Sequence, residues 1–214
     1  MRTDELISAL VADYVVQPRP KPVAHGLIMA IIGGVAISAA LFSLTLGVRP
    51  DIVSALKTWR FDLKLADNLL LVIAATWVAL RLSSPTTTPP SAMRALLVPA
   101  LLLLGAVVYE LVTIPTSAWP SRAMGVNGLM CFASIISLSV LPLAATIYAL
   151  RQGAPTSSAA MGAVGGLLAG ALGATVFAMH CTNDSPLFVA IWYVLAIGLM
   201  SLFGLVVGRH ALRW

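Results

Sequence analysis

The sequence predicts an all-α, polytopic membrane protein with six transmembrane helices and a short N-terminal cytoplasmic amphipathic helix. Of its 214 residues, 59% are hydrophobic and only 10% are charged. The mean hydropathy of +0.96 is far above that of a soluble domain. The charges occur in short clusters between apolar runs of about 20 residues, the length that a helix needs to cross a hydrocarbon core of roughly 30 Å.

Continuous apolar runs favour helices over membrane-spanning strands, which are about 10 residues long and alternate polar with apolar side chains. The six predicted spans are Gly26 to Leu46, Leu65 to Leu82, Arg94 to Ile114, Met124 to Leu150, Ala159 to Met179 and Leu187 to Gly208. The first run begins too late and is too long for a cleavable signal peptide. We therefore predict two parts: residues 1–24 form the amphipathic helix and a proline-rich tether, and residues 25–214 form the six-helix bundle.

We expect a protein of a bacterial inner membrane, and the distribution of Lys and Arg predicts that both of its termini lie in the cytoplasm. Eight of these residues lie on the side of the termini and five in the opposite loops, in line with the positive-inside rule. Among the five, Lys57, Arg60 and Lys64 lie beside apolar residues that recur at helical spacing, which predicts a segment along the bilayer surface. These apolar residues are Ile52, Leu56, Trp59 and Leu63. The net charge of +5 therefore indicates membrane lipid as a partner, and no patch indicates direct nucleic-acid binding.

Two predicted spans carry glycines at intervals of four residues. They are Gly162, Gly166 and Gly170 in the fifth span and Gly204 and Gly208 in the sixth. This spacing lets backbones approach closely, so we predict helix packing, while a substrate path or self-association into a homo-oligomer stays open. Pro142, inside the fourth span, predicts a kink that neighbouring helices must satisfy.

The N-terminal segment has the pattern of an amphipathic helix of about four turns, apolar on one face from Leu6 to Val15 and bearing Glu5 and Asp13 on the other. Helices that lie on anionic lipid carry Lys and Arg on the polar face. Acidic residues there favour a protein groove with a basic rim as the host, although docking on the membrane stays open. The residues predicted to bind this partner are Leu6, Ile7, Leu10, Val11 and Tyr14.

The two cysteines of the chain, Cys131 and Cys181, both fall on the predicted outer side. An oxidising compartment makes them a candidate disulfide pair or thiol sensor. A structural bridge, or two unrelated small apolar residues, stays open because a bridge needs Cα atoms about 4.4 to 6.8 Å apart. The pair is the predicted sensing element.

A heavy-metal ion is a further candidate ligand at the same membrane face. Glu110 is an ionisable residue within an apolar span, which marks it as a functional candidate, and thiolate with imidazole suits zinc, copper or cadmium. The candidate ligands are Cys131, His180, Cys181, Asp184 and Glu110. Helix capping or hydrogen bonding in the loop is the alternative for His180 and Asp184. We predict no resident cofactor, only such a transient ion.

Four features of the chain together carry a resemblance to a known family. They are the opening Met1-Arg2-Thr3-Asp4-Glu5-Leu6-Ile7, the spacing of the six spans, the loop His180-Cys181-x-x-Asp184-Ser185-Pro186, and the ending Gly208-Arg209-His210-Ala211-Leu212-Arg213-Trp214. With these features the chain resembles the NrsF family of proteobacterial inner-membrane anti-sigma factors.

The resemblance implies a regulator rather than an enzyme. Such a protein holds an extracytoplasmic-function sigma factor of the SigF type at the membrane and releases it under heavy-metal or oxidative stress. The resemblance also implies that the N-terminal helix binds the sigma factor and that Cys131 and Cys181 belong to the sensing end. The family often has proline after the loop cysteine, where this chain has Thr182, so the loop is expected to bend differently.

A membrane thiol oxidoreductase or a small transporter is the alternative function. The oxidoreductase would use Cys131 and Cys181, but the chain has no Cys-x-x-Cys pair, a common redox-active arrangement. The transporter would place Glu110 in its path, but a single carboxylate is little for an ion pathway. Both features favour the regulator.

Overall fold

The computed structural model describes residues 3–14, 23–83 and 89–212, and all regular structure in these residues is helical. The helices are α1 (Thr3–Tyr14), α2 (Val23–Thr45), α3 (Ile52–Ala55), α4 (Trp59–Leu82), α5 (Pro89–Met93), α6 (Leu97–Thr113), α7 (Trp119–Met124), α8 (Gly128–Leu150), α9 (Ser158–Ala178), α10 (Pro186–Phe188) and α11 (Val194–Ala211). A π-helical turn, Val189–Tyr193, joins α10 to α11. The all-α prediction is confirmed.

Six helical segments of the described chain are long and apolar enough to cross a membrane, which confirms the predicted number of spans. They are Val23–Thr45, Trp59–Leu82, Ser91–Thr113, Thr116–Leu150, Ser158–Ala178 and Pro186–Ala211. The predicted proline-rich tether, Pro18 to Pro22, lies outside the described residues.

The second span begins at Trp59, earlier than the predicted start at Leu65. The predicted surface segment is therefore wrong from Trp59 onward, because these residues form the first turns of α4. Lys64 is fully buried there rather than turned to lipid headgroups. Its charge has partners inside the protein, and these partners make the burial tolerable.

The fourth span is interrupted near its N-terminal end. Helix α7 ends at Met124 and α8 begins at Gly128, and between them Gly125 has a φ of +59°, a left-handed conformation that glycine adopts without strain. The predicted helix from Met124 to Leu150 is thus shorter, and Cys131 lies in the first turn of α8 rather than two turns into the helix.

Helix α9 is the centre of the bundle. It packs against α2, α4, α8 and α11, and 72% of its spanning stretch is buried, against 17% for the span that contains α6. A Cβ at Gly162 would lie 2.3 Å from the Gly204 carbonyl oxygen, and one at Gly166 would lie 2.1 Å from that of Met200. The backbones of α9 and α11 therefore touch, and the glycines serve helix packing as predicted.

Pro142 in α8 has no N–H to donate to the carbonyl of Leu138, one turn earlier. The hydroxyl of Ser38 in α2 donates to that carbonyl oxygen at 2.7 Å, and Gly34 of α2 lies against the proline ring. This confirms that a neighbouring helix satisfies the freed group, and it fixes α2 against α8.

We expect replacement of Gly166 by alanine to lower the free energy of unfolding by about 1 to 3 kcal/mol, the usual cost of overpacking an interior. The new Cβ would lie 2.1 Å from the Met200 carbonyl oxygen, so α9 and α11 must separate. Unfolding in mixed detergent micelles measures the change. Gly105→Ala is the matched control, because a Cβ there meets nothing within 4 Å. Equal losses in the two variants would contradict the contact.

Candidate functional site

The two cysteines come together at one end of the bundle. Cys131 lies in the first turn of α8, Cys181 lies in the loop after α9, and their Sγ atoms are 3.7 Å apart. Both thiols are free and buried. A disulfide needs an S–S distance of about 2.05 Å. A small movement of either element would therefore bring the two sulfur atoms within bonding distance.

Two buried cations hold the loop that carries Cys181. The carbonyl oxygen of Cys181 accepts hydrogen bonds from Arg49 Nη1 at 3.0 Å and from Lys64 Nζ at 2.9 Å. Both cations also pair with Asp184, Arg49 at 2.8 Å and Lys64 at short range. Arg49 forms a second ion pair, with Asp51 at 2.7 Å. We call Arg49, Lys64 and Asp184 the ion cluster.

The surroundings make Cys181 the more reactive thiol of the pair. The hydrogen bond with Cys131, and next the positive charge of Lys64, hold the pKa of the Cys181 thiol below its ordinary value, against the opposing effect of burial. A lower pKa enlarges the thiolate fraction, the form that attacks oxidants and binds metals. The Arg49 hydrogen bond likewise lowers the pKa of Asp51, to about 2.

Glu110 holds the far side of the same loop. Its Oε2 accepts hydrogen bonds from Ser185 Oγ at 2.6 Å and from the Leu187 N–H at 3.1 Å, while Arg60 Nη2 lies 3.4 Å from its Oε1. A carboxylate here satisfies a free N–H in the first turn of α10. The loop is therefore anchored at two adjacent residues. Asp184 pairs with Lys64 of α4, and Ser185 donates to Glu110 of α6.

The five candidate metal ligands do not converge on one point. His180 Nδ1 lies 2.9 Å from the Gly47 carbonyl oxygen, Asp184 pairs with the two cations, and Glu110 binds Ser185. Within the described ranges, no three His, Cys, Asp or Glu residues form a group that could hold a metal ion. Cys131 and Cys181 remain together, and metal binding by this pair stays a prediction.

A cavity of about 480 Å³ leads to the thiol pair. Both cysteines line it, together with Arg49, His180 and Asn183. Small oxidants and hydrated ions are much smaller than this volume, since one water occupies about 30 Å³ in the liquid. The buried thiols are thus within reach of small reactants.

Comparison with known proteins identifies the family. The family model described as NrsF, negative regulator of sigma F, matches residues 10–214. The chain belongs to the NrsF family. It is 32% identical over 218 residues to the anti-sigma-F factor NrsF of Caulobacter vibrioides (strain NA1000 / CB15N), and 29% identical over 214 residues to the probable anti-sigma-F factor NrsF of Azospira oryzae (strain ATCC BAA-33 / DSM 13638 / PS).

Both NrsF alignments cover the whole of each chain. No solved structure matches the chain. The resemblance recognised from the sequence is confirmed, and it makes the protein a regulator that acts on sigma F rather than a member of an enzyme family.

Helix α1, the predicted partner-binding element of this NrsF-family chain, presents large apolar side chains to its surroundings. Leu6, Ile7 and Val11 are 45%, 54% and 60% exposed. The side chains of Leu10 and Tyr14 lie outside the described residues. Three exposed aliphatic side chains on a 12-residue helix form a surface suited to a protein partner.

Sequence reasoning missed Arg49, Lys64, Arg60 and Ser185 as site residues. The positive-inside rule treats the three cations as exceptions. In this NrsF-family chain they pair with Asp184 and Glu110 at the cysteine end of the bundle. A usable signal was present in the sequence: unexplained cations and unexplained carboxylates fell on the same predicted side.

We expect replacement of Lys64 by methionine to move the reactivity of Cys181 to higher pH by about one unit, because a nearby positive charge that favours the thiolate is lost. Arg49 still pairs with Asp184 in this variant. The alkylation rate of Cys181 against pH, followed by mass spectrometry, measures the shift. Lys57→Met is the control, because Lys57 is exposed in the neighbouring loop. An unchanged midpoint in Lys64→Met would show that the charge has no influence on the thiol.

Proposed function

We propose that this protein is a membrane-bound anti-sigma factor that sequesters an extracytoplasmic-function sigma factor through α1 and releases it when Cys131 and Cys181 are oxidised or bind a heavy-metal ion. Membership of the NrsF family supports the regulatory role. The observation that carries the sensing step is the 3.7 Å separation of two buried, free thiols. Their cavity and the lowered pKa of Cys181 support it further.

The proposed location is the bacterial inner membrane, with the thiol pair on the outer side and α1 in the cytoplasm. One span, α2, separates α1 from Arg49, and Arg49 contacts the cysteine loop. In a bundle that crosses the bilayer, α1 and the thiols thus face opposite compartments. By the positive-inside rule, cations at the cysteine end count against this orientation. Three of them, Arg49, Lys64 and Arg60, each pair with a carboxylate of the protein.

Direct contacts connect the two cysteine-bearing elements to α2, the span that follows α1 in the chain. Arg49 lies four residues beyond the end of α2, since that helix ends at Thr45, and its backbone N–H donates to the Met179 carbonyl at 3.0 Å. Its side chain binds the Cys181 carbonyl. Helix α8, which carries Cys131, is fixed to α2 by Ser38. Both cysteine-bearing elements therefore contact the span that leads back to α1.

The energetic requirement on this switch is modest. Oxidation shortens the distance between the sulfur atoms from 3.7 Å to about 2.05 Å, which draws the start of α8 toward the loop after α9. A chemical change shifts a conformational equilibrium only by its difference in free energy between the two states. A difference of about 3 kcal/mol is enough for roughly 150-fold weaker sigma binding.

We expect serine at both Cys131 and Cys181 to leave sigma binding intact in unstressed cells and to abolish its release under stress. The substitution keeps the size of the buried side chains approximately while removing the chemistry of the thiols. A reporter gene under a sigma-dependent promoter, exposed separately to an oxidant and to cadmium, measures release and distinguishes the two signals. A normal response of the double variant to both signals would refute the sensing role.

We expect Val11→Glu to weaken sigma binding about tenfold or more, because it places a charge within the apolar face of α1. Binding of the purified sigma factor to the full-length protein in nanodiscs measures the effect. Ala9→Glu is the matched control, since it adds the same charge to the predicted polar face of the same exposed helix. Equal weakening by both variants would point to a general electrostatic effect and against a specific apolar contact.

A further inference from the structure

A second cavity lies within the membrane-spanning part of the bundle, apart from the opening to the thiols. It has a volume of about 260 Å³ and lies between α4, α6, α9 and α11. Of the thirteen residues that line it, only Asp67, Asn68 and Tyr193 have polar side chains. The remainder of the wall is aliphatic, so the cavity suits an apolar molecule with a small polar group.

Asp67 is the unexplained residue of this cavity. Its side chain is almost fully buried, with 6% of the residue exposed, and its Oδ1 has no hydrogen-bond partner in the described part of the chain. It lies eight residues after Trp59, hence about 12 Å along α4 at 1.5 Å per residue. A carboxyl group at this depth is costly, and it marks a functional site by default.

The cavity wall opposite α4 has an unusual backbone. Val189 and Tyr193 lie at the two ends of the π-helical turn and both line the cavity. Short π-helical segments occur frequently at functional sites, because the wider turn changes which side chains face a cavity. The irregular turn and the unpartnered carboxyl oxygen are two independent observations at the same place.

Size and depth restrict the ligand. A cavity of 150 Å³ in another protein holds benzene, so about 260 Å³ accepts a substituted ring with a few methylene groups. Ala100 and Val194 on the rim are exposed on the outer surface of the bundle, which gives an alkyl tail a way out to lipid. A charged phospholipid headgroup or an ammonium would have to lose its hydration at this depth, whereas a neutral hydroxyl loses less.

We propose that this cavity binds a lipophilic phenol, whose hydroxyl donates a hydrogen bond to Asp67 Oδ1 and whose alkyl tail leaves between α6 and α11. A quinol of the membrane and a free alkylphenol share this chemistry. The site is distinct from the sigma-binding helix and from the thiol pair, so it stands or falls independently of them.

Binding of tritiated 4-decylphenol to the full-length protein in lipid nanodiscs tests the site, with empty nanodiscs to subtract partitioning into lipid. We expect saturable binding. Unlabelled 4-decylanisole, which has the same ring and tail but no O–H, should compete at least tenfold less well than unlabelled 4-decylphenol. Decylubiquinol distinguishes the sources: stronger competition than 4-decylphenol identifies a membrane quinol, and weaker competition identifies a simple phenol.

Variants connect the binding to the cavity. We expect Asp67→Leu to weaken 4-decylphenol binding at least tenfold, and Asp67→Asn, which keeps an acceptor oxygen, to stay within about threefold of the parent. Gly198→Leu should also weaken binding, because a Cβ at this lining residue meets nothing within 4 Å and a larger side chain can occupy the space. Gly33→Leu is the control, since its Cβ is equally free on α2, away from the cavity.

Three results would overturn the proposal: the absence of saturable binding, equal competition by the anisole, or unchanged binding in both Asp67→Leu and Gly198→Leu. If Asp67→Leu fails to fold, Asp67→Asn and Gly198→Leu decide in its place. Retained sigma binding in the Gly198→Leu variant would show that a loss of phenol binding does not come from a loss of the fold.

Discussion

Lys64 and Arg49 carry their positive charges into a buried region of the bundle, where an ion without a partner costs several kcal/mol. Both charges are met by the same short loop, through the Cys181 carbonyl and the Asp184 carboxylate. Electrostatics therefore fixes the position of that loop, in addition to the apolar packing of Cys181. Cys181 lies where the two cations require its carbonyl to be, and α8 brings Cys131 to within 3.7 Å of it.

The base of the loop is fixed by a different interaction. Helix α9 precedes it and touches α11 backbone to backbone, since a Cβ at Gly162 or Gly166 would lie within 2.3 Å of a carbonyl oxygen of α11. Such close contact leaves little freedom for α9 to shift relative to α11. A displacement of the loop would then be passed on to the elements that the loop contacts through hydrogen bonds, which are the segment after α2, the start of α4 and the end of α6.

The spans could be predicted because hydropathy is a local property summed over about 20 residues, and the roles of Gly166 and Pro142 followed from the spacing of the glycines and from the missing N–H of proline. The ion cluster could not be predicted, because Asp184 is 135 residues from Arg49 and 120 from Lys64, and their meeting depends on which helices are neighbours. Chain direction put His180 and Glu110 at the correct end of the bundle. Chain direction could not show that His180 contacts the Gly47 carbonyl and that Glu110 contacts Ser185, rather than the thiols.

The cavity beside Asp67 and the thiol pair border the same apolar cluster. Val189, Tyr193 and Ile197 line the cavity and also belong to the apolar cluster that contains Cys131 and Cys181. An occupant of the cavity would therefore contact three members of the cluster in which the thiols are packed. Coupling between two binding equilibria is reciprocal. An occupant that favours one arrangement of these side chains is therefore bound more tightly when the side chains adopt that arrangement. A ligand in the cavity and a change at the thiols would then act on the same apolar cluster, part of which lies at the N-terminal end of the last span.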